Sequence, residues 1–375
     1  MNEAVIVLAD LYLDPETPLE LPEELPLPGL SLLARFATRE RLTAGWRDWV
    51  ARWTWRGGVG SGSTDARAPA MAPATVPAPA TVAASAVWHD RHRWIGAEAP
   101  SPAAVWLATP VHLLAGLASA HLDRRGILRL SPEEQARLAE DFRQSFAGTP
   151  FGLIPLPAGG FLLTGPGLST EPALPTAPEP PLEGSPEPAR CVGVNLARNL
   201  ILRSGVPALR QLGAEIEMWL HAQALNTQRQ HQGLPPLTAL WLWGGGPAPQ
   251  RTATDASRIP DSTVAFGRDP FVDGLWGSET PPLPPQAAEI FGYAGAERVL
   301  VVEEVGRMLH SNPKWLLPEA LAECDRTLLV PALQRLRAGE LVSLSVLAND
   351  RRLTLRRADL QKFWRRRLRA AAAFV

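Results

Sequence analysis

Residues 218–246 read MWLHAQALNTQRQHQGLPPLTALWLWGGG. The stretch joins the end of an amphipathic helix to a polar turn, and then to a buried strand, LWLW at 240–243, which runs into Gly244, Gly245 and Gly246. Ligands of open α/β sheets bind at the carboxyl ends of the strands, and glycines leave the backbone open to them there. The pattern therefore predicts a core strand that ends in a ligand-binding turn. A core strand followed by a flexible turn is the alternative.

Length and composition set the limits outside this stretch. With 375 residues, the chain is long enough for one large α/β domain or for two ordinary ones, and either would bury a substantial core. The net charge of −1 gives no global field that points to nucleic acid or to a membrane. Two cysteines, Cys191 and Cys324, have no CxxC spacing, which favours a reducing cytoplasm and argues against structural zinc.

Signals of export and of membrane insertion are not expected in this chain. The first residues, MNEAVIVLADLYLD, carry no basic segment, and their apolar run is too short for a signal peptide. No uninterrupted apolar segment reaches 18 residues, so no membrane span is expected. These features predict a cytoplasmic protein without a membrane partner.

Carboxylates follow three segments that have the pattern of buried strands. These are residues 4–9 followed by Asp10, residues 299–302 followed by Glu303 and Glu304, and residues 341–347 followed by Asn349 and Asp350. A carboxylate at the end of such a strand can hold a metal ion or orient a substrate. Helical segments separate the strands, and this alternation predicts an α/β fold with a mostly parallel sheet flanked by helices.

Composition divides the chain into five segments. They are 1–60, the first part of the α/β core; 61–100, an Ala/Pro-rich linker; 101–167, an inserted smaller α+β subdomain; 168–190, a Pro/Glu-rich linker; and 191–375, the remainder of the core with a basic C-terminal helix. GGVGSGST at 57–64 lacks the Gly-Lys-Ser/Thr ending of a phosphate loop, so it belongs to the linker. In the subdomain, Ser131 and Glu134 predict a capped helix start. His112 and His121 have no partners at ligand spacing and are expected to be scaffold residues.

Basic residues are concentrated at the C-terminal end. The last 25 residues contain Arg351, Arg352, Arg356, Arg357, Lys362, Arg365, Arg366, Arg367 and Arg369. Such a cluster favours a solvent-exposed helix face over a contact for an anionic partner. Nucleic-acid binding is not expected, because no recognised motif accompanies the cluster.

Placed in order, these segments resemble the archaeal-type cofactor-independent phosphoglycerate mutases, a branch of the alkaline phosphatase superfamily. They resemble still more the bacterial proteins described as RpfE-type regulatory proteins. The likeness is carried by the strand ending in Asp10, TPLE at 17–20, the helix from Pro28, Asn226, Arg229, Gly233 and WLWGGG at 241–246. Residues 111–163 resemble the inserted domain of the mutases, and residues 315–347 resemble the helix and strand before their final metal-binding turn. The resemblance implies an alkaline-phosphatase-like fold in which Asp10 is a metal ligand.

The chain departs from the mutases at the residues that hold their two metal ions. Where the family has Asp-His after a strand, this chain has Asp350-Arg351, and the family's acidic turn is here EEVGR at 303–307, with His310 displaced. Arginine cannot ligate a metal ion and would repel one. No serine stands in the Gly-Ser-Asp context of the family's nucleophile, since SGS at 61–63 belongs to the linker. The departures imply that the two-metal centre is lost and that no cofactor is expected.

Two functional interpretations follow. In the first, the chain is a phosphoglycerate mutase-like pseudoenzyme that acts as a regulatory or binding protein, with a phosphorylated small molecule or another protein as its partner. Arginine binds phosphate through two hydrogen bonds, so Arg307, Arg351 and Arg352 would replace the charge of the metals. The predicted ligand-binding residues are Asn226, Arg229, Trp243, Gly244, Gly245, Gly246, Arg307 and Arg351.

In the second interpretation, the chain is an active metal-dependent phosphomutase or phosphatase with a rearranged centre that holds Mn or Zn. Its metal ligands would be Asp10, Glu304, His310 and Asp350, with Glu303 beside them. Asp10 and Asp350 would then be the catalytic candidates. Phosphoryl transfer of this kind depends on the charge neutralisation that metals supply, so the loss of family ligands favours the first interpretation.

Overall fold

The structure is a computed structural model that describes only part of the chain. The described residues are 2–13, 20–22, 25–43, 45–55, 87, 103–116, 119–166, 186–196, 207–248, 262–276, 279–284, 287–293, 296–362, 364–365 and 368–374. Some predictions fall outside these residues, namely those for most of TPLE at 17–20, for GGVGSGST at 57–64 and for most of both linkers.

The described elements alternate between strands and helices along much of the chain. The strands are β1 (Asn2–Leu8), β2 (Thr38–Arg41), β3 (Ala104–Val111), β4 (Leu114–Ala115), β5 (Ala120–His121), β6 (Gly152–Pro155), β7 (Phe161–Gly165), β8 (Asn195–Leu196), β9 (Ala239–Pro247), β10 (Thr263–Phe266), β11 (Arg298–Glu303), β12 (Leu341–Ala348) and β13 (Arg351–Arg356). The α-helices are α1 (Pro28–Phe36), α2 (Gly45–Trp55), α3 (Pro132–Ser145), α4 (Pro207–His221), α5 (Ala224–His231), α6 (Pro270–Trp276), α7 (Val305–Ser311), α8 (Leu317–Cys324) and α9 (Val330–Ala338). None of the described helices combines the length and the apolar composition needed to cross a bilayer.

The main sheet has the strand order β10-β11-β1-β12-β13-β2. Strands β10, β11, β1 and β12 are mutually parallel, and β13 and β2 extend the sheet in antiparallel pairing. The strands predicted from residues 4–9, 299–302 and 341–347 are all present, and each lies within the parallel part. The prediction of an α/β fold with a mostly parallel sheet flanked by helices is therefore confirmed.

Residues of β1 alternate between the two faces of the main sheet. Ala4, Ile6 and Leu8 pack against α1, α8 and α9 on one face. Val5 and Val7 pack on the other face, against α2 and against residues of a second sheet. Because both faces are covered, the strand has a continuous apolar sequence and not an alternating one.

The second sheet is antiparallel throughout, with the strand order β6-β7-β3-β9. Val105, Leu107 and Leu162 on one of its faces join the apolar cluster of the main sheet. Its other face is covered by α3 and α4, whose Phe142 and Ile216 are buried there. The smaller subdomain is thus a layer that packs directly on the parallel sheet.

The prediction for residues 240–246 is wrong in two respects. The strand does not end at Gly244 but continues through the glycines, and it pairs with β3 of the second sheet instead of entering the parallel core. The pairing register shifts beside Val105, where Gly244 has a φ of +65°. A Cβ atom on Gly245 would lie 1.9 Å from Cδ1 of Trp106, so the indole packs on the bare backbone. The glycines therefore accommodate a β-bulge and a close tryptophan within an antiparallel strand.

A π turn, Asp325–Leu329, joins helices α8 and α9. The C-cap of α9 is Gly339, which has the left-handed φ of +83°. The turn places the carboxylate of Asp325 at the start of α1, where it accepts the backbone N–H groups of Gly29 (3.0 Å) and Leu30 (2.6 Å). Pro331 lies in the first turn of α9, where its missing N–H is not needed.

The predicted basic C-terminal helix is also wrong for the described residues. After β13 these residues contain two short 3-10 helices, Arg357–Gln361 and Ala370–Ala373, and no α-helix. Ala373 and Phe374 are buried in the core cluster that contains α1. This end of the chain is therefore buried against α1, whereas the predicted amphipathic helix would have been exposed to solvent on its basic face.

Candidate functional site

Acidic side chains lie along the carboxyl edge of the parallel strands. Asp10 follows β1, Glu303 ends β11 with Glu304 directly after it, and Asp350 follows β12. Asp269, which the sequence did not single out, follows β10. Parallel strands end at one edge of a sheet, and this edge is where ligands of such folds bind. We define these acids and the arginines bound to them as the edge network.

Asp10 serves as the cap of a short helix. Its Oδ1 atom accepts the N–H of Val305 at 2.7 Å, and its Oδ2 atom accepts the N–H of Gly306 at 2.6 Å. A Cβ atom on residue 306 would lie 2.5 Å from Oδ2, so only glycine permits this approach. Arg124 donates to the backbone carbonyl of Asp10. Both carboxylate oxygens of the predicted metal ligand are therefore used by the start of α7.

Glu304 forms an ion pair with Arg129, which precedes α3. Burial raises the pKa of Glu304 to about 7; the charge of Arg129 opposes this shift, and the charges of Asp10 and Asp269 add to it. The Nε–H group of Arg129 is buried and has no acceptor in the structure. Glu303 pairs separately with Arg307 at 2.7 Å, and burial raises its pKa as well.

Asp350 is bound by Arg190 through both carboxylate oxygens. Asn349 and Asp350 have φ values of +49° and +54°, which fit the two-residue turn that joins β12 to β13. The guanidinium group of Arg190 also lies 4.2 Å above the ring of Tyr12. The second catalytic candidate is thus fixed in a tight turn and paired with an arginine from the segment before β8.

Arg47 connects Asp269, which follows β10, to Glu187, which lies in the segment that contains Arg190. Its guanidinium group pairs with Asp269 at 3.2 Å and with Glu187 at 2.8 Å. It lies over the rings of Trp46 and Trp243, at 4.3 and 5.0 Å. These acids keep the pKa of Arg47 above its usual value against the opposing effect of burial.

Tyr12 lies between Glu187 and Arg190 in the same network. Its hydroxyl donates to Glu187 at 2.9 Å. Burial, followed by the charge of Glu187, raises the pKa of Tyr12 well above its usual value, so the hydroxyl stays protonated. The phenol is therefore a hydrogen-bond donor within the network and carries no charge.

The sequence did not identify Arg47, Arg129, Arg190 and Glu187. They come from α2, from the loop before α3 and from the segment before β8, so no local pattern links them. Asp269 had a usable signal, since Asp-Pro at 269–270 is typical of a helix start. Its Oδ1 atom does accept the N–H of Phe271 at 2.9 Å.

The arginines that were predicted to replace the metals have other partners or positions. Arg307 pairs with Glu303, and Arg352 pairs with Glu40. Arg351 lies on β13 directly opposite Arg41 of β2. Arg307 and Arg352 thus have acidic partners within the chain, and the predicted phosphate-binding role of the three arginines stays a prediction. The acids Glu304 and Asp350 are paired instead with Arg129 and Arg190.

His310 does not join the acids. Its Nε2 atom lies 2.8 Å from the carbonyl oxygen of Ile127, so that nitrogen carries a proton and donates it. Burial lowers the pKa of His310. His112 and His121 likewise bond to Pro236 O at 2.9 Å and to Ser119 Oγ at 3.0 Å, in agreement with the predicted scaffold role.

The metal ligands that the resemblance implies do not fit a two-metal centre in this arrangement. Such a centre needs several carboxylate or imidazole lone pairs directed at one point. Here Asp10 is used by backbone N–H groups, Glu304 and Asp350 are used by arginines, and Asp350 lies in a separate pair. Within the described ranges, no group of three or more His, Cys, Asp or Glu side chains is arranged to hold a metal ion.

Asn226, Arg229 and Trp243, which were predicted to bind a ligand, all have contacts within the chain. Asn226 donates to Leu220 O and Leu237 O, each at 2.9 Å, and accepts the N–H of Leu237. Arg229 pairs with Glu134 at 2.8 Å and is only 3% exposed. The indole N–H of Trp243 donates to Thr109 at 2.8 Å. These contacts explain a structural role for each residue, and their ligand-binding role stays a prediction.

A cleft of about 540 Å³ lies beside the edge network, between the start of α3, α5 and α7. Arg229 and His310 line it, and so do Arg129 and Arg137. Arg129 belongs to both places, because it pairs with Glu304 and also forms part of the cleft wall. The cleft thus brings two predicted site residues together with two arginines that the sequence did not single out.

Comparison with known proteins gives only a distant likeness. No protein-family model matches the chain, and no curated protein matches it. The cofactor-independent phosphoglycerate mutase from Thermoplasma acidophilum DSM 1728 is 13% identical, with a TM-score of 0.37 over 100% of this chain and 95% of that one. The PH0037 protein from Pyrococcus horikoshii is 12% identical, with a TM-score of 0.46 over 99% and 91%. At these identities the likeness concerns the fold alone, and it says nothing of RpfE-type regulatory proteins.

Proposed function

We propose that this protein acts by binding, as a pseudoenzyme with a regulatory role, and not by metal-dependent phosphoryl transfer. The observation that supports this is the state of the edge network. Arg129 and Arg190 supply, from within the chain, the positive charge that Glu304 and Asp350 would otherwise take from a metal ion.

The energetics of the edge network favour this proposal. A metal ion at Glu304 would have to displace Arg129, and the guanidinium group would then be left partly buried without its carboxylate. Removing one partner of a buried ion pair is strongly unfavourable, since the other charge remains without compensation. An arginine that stayed in place would repel the incoming cation.

A metal-dependent phosphomutase or phosphatase that uses Mn or Zn is the alternative, and metal analysis separates the two. Purified protein, dialysed against Mn²⁺ or Zn²⁺, is analysed for bound metal and assayed with a generic phosphate ester. We expect far less than one metal per chain and no turnover. One or two metals per chain, with turnover that Asp10→Asn abolishes, would overturn the proposal.

The choice of variants keeps this assay interpretable. Asp10→Asn retains an oxygen for one of the two N–H groups at the start of α7 and loses the acceptor of the other, so its melting temperature is measured beside the assay to separate loss of the cap from loss of a metal ligand. Asp141→Asn removes an acid from the exposed side of α3 and is the matched control. Equal behaviour of the two variants would mean that Asp10 has no metal-binding role.

The proposal includes a cytoplasmic location. Cys191 and Cys324 are both free and buried in the structure, which suits a reducing compartment. The regulatory role implies a partner, which can be a small molecule or another protein. Affinity capture with the full chain tests whether a protein partner binds at this edge. The wild type is compared with an Arg190→Met variant, which disturbs the edge network.

A further inference from the structure

The cleft beside the edge network has a mixed lining. Arg129, Ser131 and Arg137 come from the start of α3 and the loop before it, Gln228 and Arg229 come from α5, and His310 comes from α7. Its apolar part consists of Leu128, Leu225, Leu234 and Pro235. Its volume of about 540 Å³ lies within the range of pockets for small molecules, roughly 300–1,000 Å³.

Of the two acids in the lining, Glu134 is paired within the protein. Glu134 pairs with Arg229 at 2.8 Å, and it accepts the N–H of Ser131 at 2.7 Å as part of the capping box. Glu133 is exposed, and hydrogen bonding to the Ser131 hydroxyl and to its own backbone lowers its pKa, so it keeps its negative charge. Arg229 is therefore neutralised by Glu134, and Glu133 lies in the first turn of α3.

Two arginines in the lining keep unused donors. Among the described residues, Arg137 forms one weak ion pair, 3.9 Å from Asp141, and 51% of its side chain is exposed. Arg129 pairs with Glu304 through one Nη atom, and about a third of its side chain is exposed. The donors that stay accessible in the cleft thus come from two guanidinium groups of its lining.

We propose that this cleft binds a small organic oxyanion, a carboxylate or a phosphate ester, through Arg129 and Arg137. Guanidinium groups bind carboxylate and phosphate oxygens with paired, charge-assisted hydrogen bonds. The apolar residues beside the arginines accept the carbon skeleton of the ligand. This inference rests on the proposed binding function and names the ligand class and the site.

Three probes of one shape test the ligand class. Phenyl phosphate, benzoate and benzyl alcohol share an aromatic ring and differ in the group attached to it. We expect titration calorimetry to detect binding of at least one of the two anions and none of the neutral alcohol. The anion that binds more tightly identifies whether the cleft prefers a phosphate ester or a carboxylate. Binding of benzyl alcohol with the same affinity as the anions, or binding of none of the three, would overturn the proposal.

A matched pair of variants tests the location. Arg137→Ala removes a partly exposed cleft residue, and Arg143→Ala removes an exposed arginine of the same helix that does not line the cleft. We expect Arg137→Ala to weaken the better anion about tenfold, the effect of losing one charge-assisted hydrogen bond, and Arg143→Ala to leave it within about twofold. Equal losses in both variants would show attraction by net charge alone and would remove the site.

The result can be separated from a failure of the proposed function. Metal content and turnover are measured on the same protein without any of the three probes. Bound metal with turnover would overturn the binding function, whereas the Arg137 effect would be unchanged by it. Absence of both metal and anion binding would remove this site and leave the binding function to another surface.

Discussion

Arg190 holds the carboxylate of Asp350 through both of its terminal nitrogens, although the two residues lie 160 positions apart in the chain. The pair joins the segment before β8 to the turn between β12 and β13. The same guanidinium group lies over Tyr12, whose hydroxyl binds Glu187 of that segment. Asp350, which stands where the mutases have a metal ligand, thus connects the core sheet to a distant segment of the chain.

The energy of this pair can be measured with a double-mutant cycle. Arg190→Met and Asp350→Asn each remove one charge, and asparagine tolerates the positive φ of the turn. About a third of each side chain is exposed, so we expect a coupling energy of about 1 kcal/mol, at the upper end for partly exposed pairs. Urea unfolding of the four proteins gives the coupling. A value below about 0.3 kcal/mol would mean that the pair does not fasten the segment.

Glu304 gives the protein a measurable pH dependence. Its pKa is about 7 in the folded chain and near 4.5 when unfolded, so between these values the folded state holds a proton that the unfolded state has released. Stability is therefore highest below pH 4.5 for this group and falls as the pH rises to about 7, by up to about 3 kcal/mol. Unfolding free energies of wild type and Glu304→Gln across this range should differ in slope. Parallel curves would contradict the assignment.

Much of the fold could be predicted from short apolar runs. Residues 4–9 and 299–302 are apolar throughout because they are covered on both faces, and this signal is local. The strand predicted at 240–243 is present, but its continuation to Pro247 and its sheet were not predicted. An apolar strand next to glycines looks the same in a parallel core and in an antiparallel layer, and the pairing with β3, with Trp106 packed on Gly245, is not visible in the local sequence.

The site could be predicted only for residues that follow strands. Asp10, Glu304 and Asp350 were found because the ends of parallel strands meet at one edge. Their partners Arg129 and Arg190 were missed, since an ion pair leaves no mark on the sequence near either residue. The arginines next to the acids in the chain were predicted instead. Arg307 pairs with Glu303, Arg352 pairs with Glu40, and Arg351 lies opposite Arg41 in the sheet.

The close packing of Trp106 on β9 makes a strong prediction for Gly245. An alanine there would place its Cβ 1.9 Å from Cδ1 of the indole, which is 4% exposed and cannot move without opening the core. We expect Gly245→Ala to reduce stability by about 2–4 kcal/mol, as other core overpacking and strain do. Gly213→Ala is the control: a Cβ at Gly213 of α4 meets no atom within 4 Å, and alanine should raise stability by about 1 kcal/mol. Similar melting temperatures for the two variants would contradict the packing.

The two thiols should be unreactive in the folded protein. Burial raises the pKa of Cys191 to about 11, so roughly 0.1% of it is thiolate at pH 8. Cys324 is fully buried, and burial raises its pKa well above the usual value. Iodoacetamide followed by mass spectrometry should find no modified chain under native conditions and two labels per chain in denaturant. Rapid labelling of Cys191 without denaturant would show that the segment around it opens.

A pair of like charges at the sheet edge offers a stabilising substitution. Arg41 of β2 lies directly opposite Arg351 of β13, and residues facing each other in antiparallel strands interact strongly enough for like charges to destabilise the pair. Arg41→Glu replaces this repulsion with an ion pair, and we expect a gain of about 0.5 kcal/mol in unfolding free energy. Glu40, its neighbour on the strand, already pairs with Arg352, so Glu40→Arg should lower stability by a similar amount. Urea unfolding at low salt tests both, and 1 M NaCl should shrink both effects because it screens exposed charges. A loss of stability in Arg41→Glu would mean that the two guanidinium groups do not repel each other across these strands.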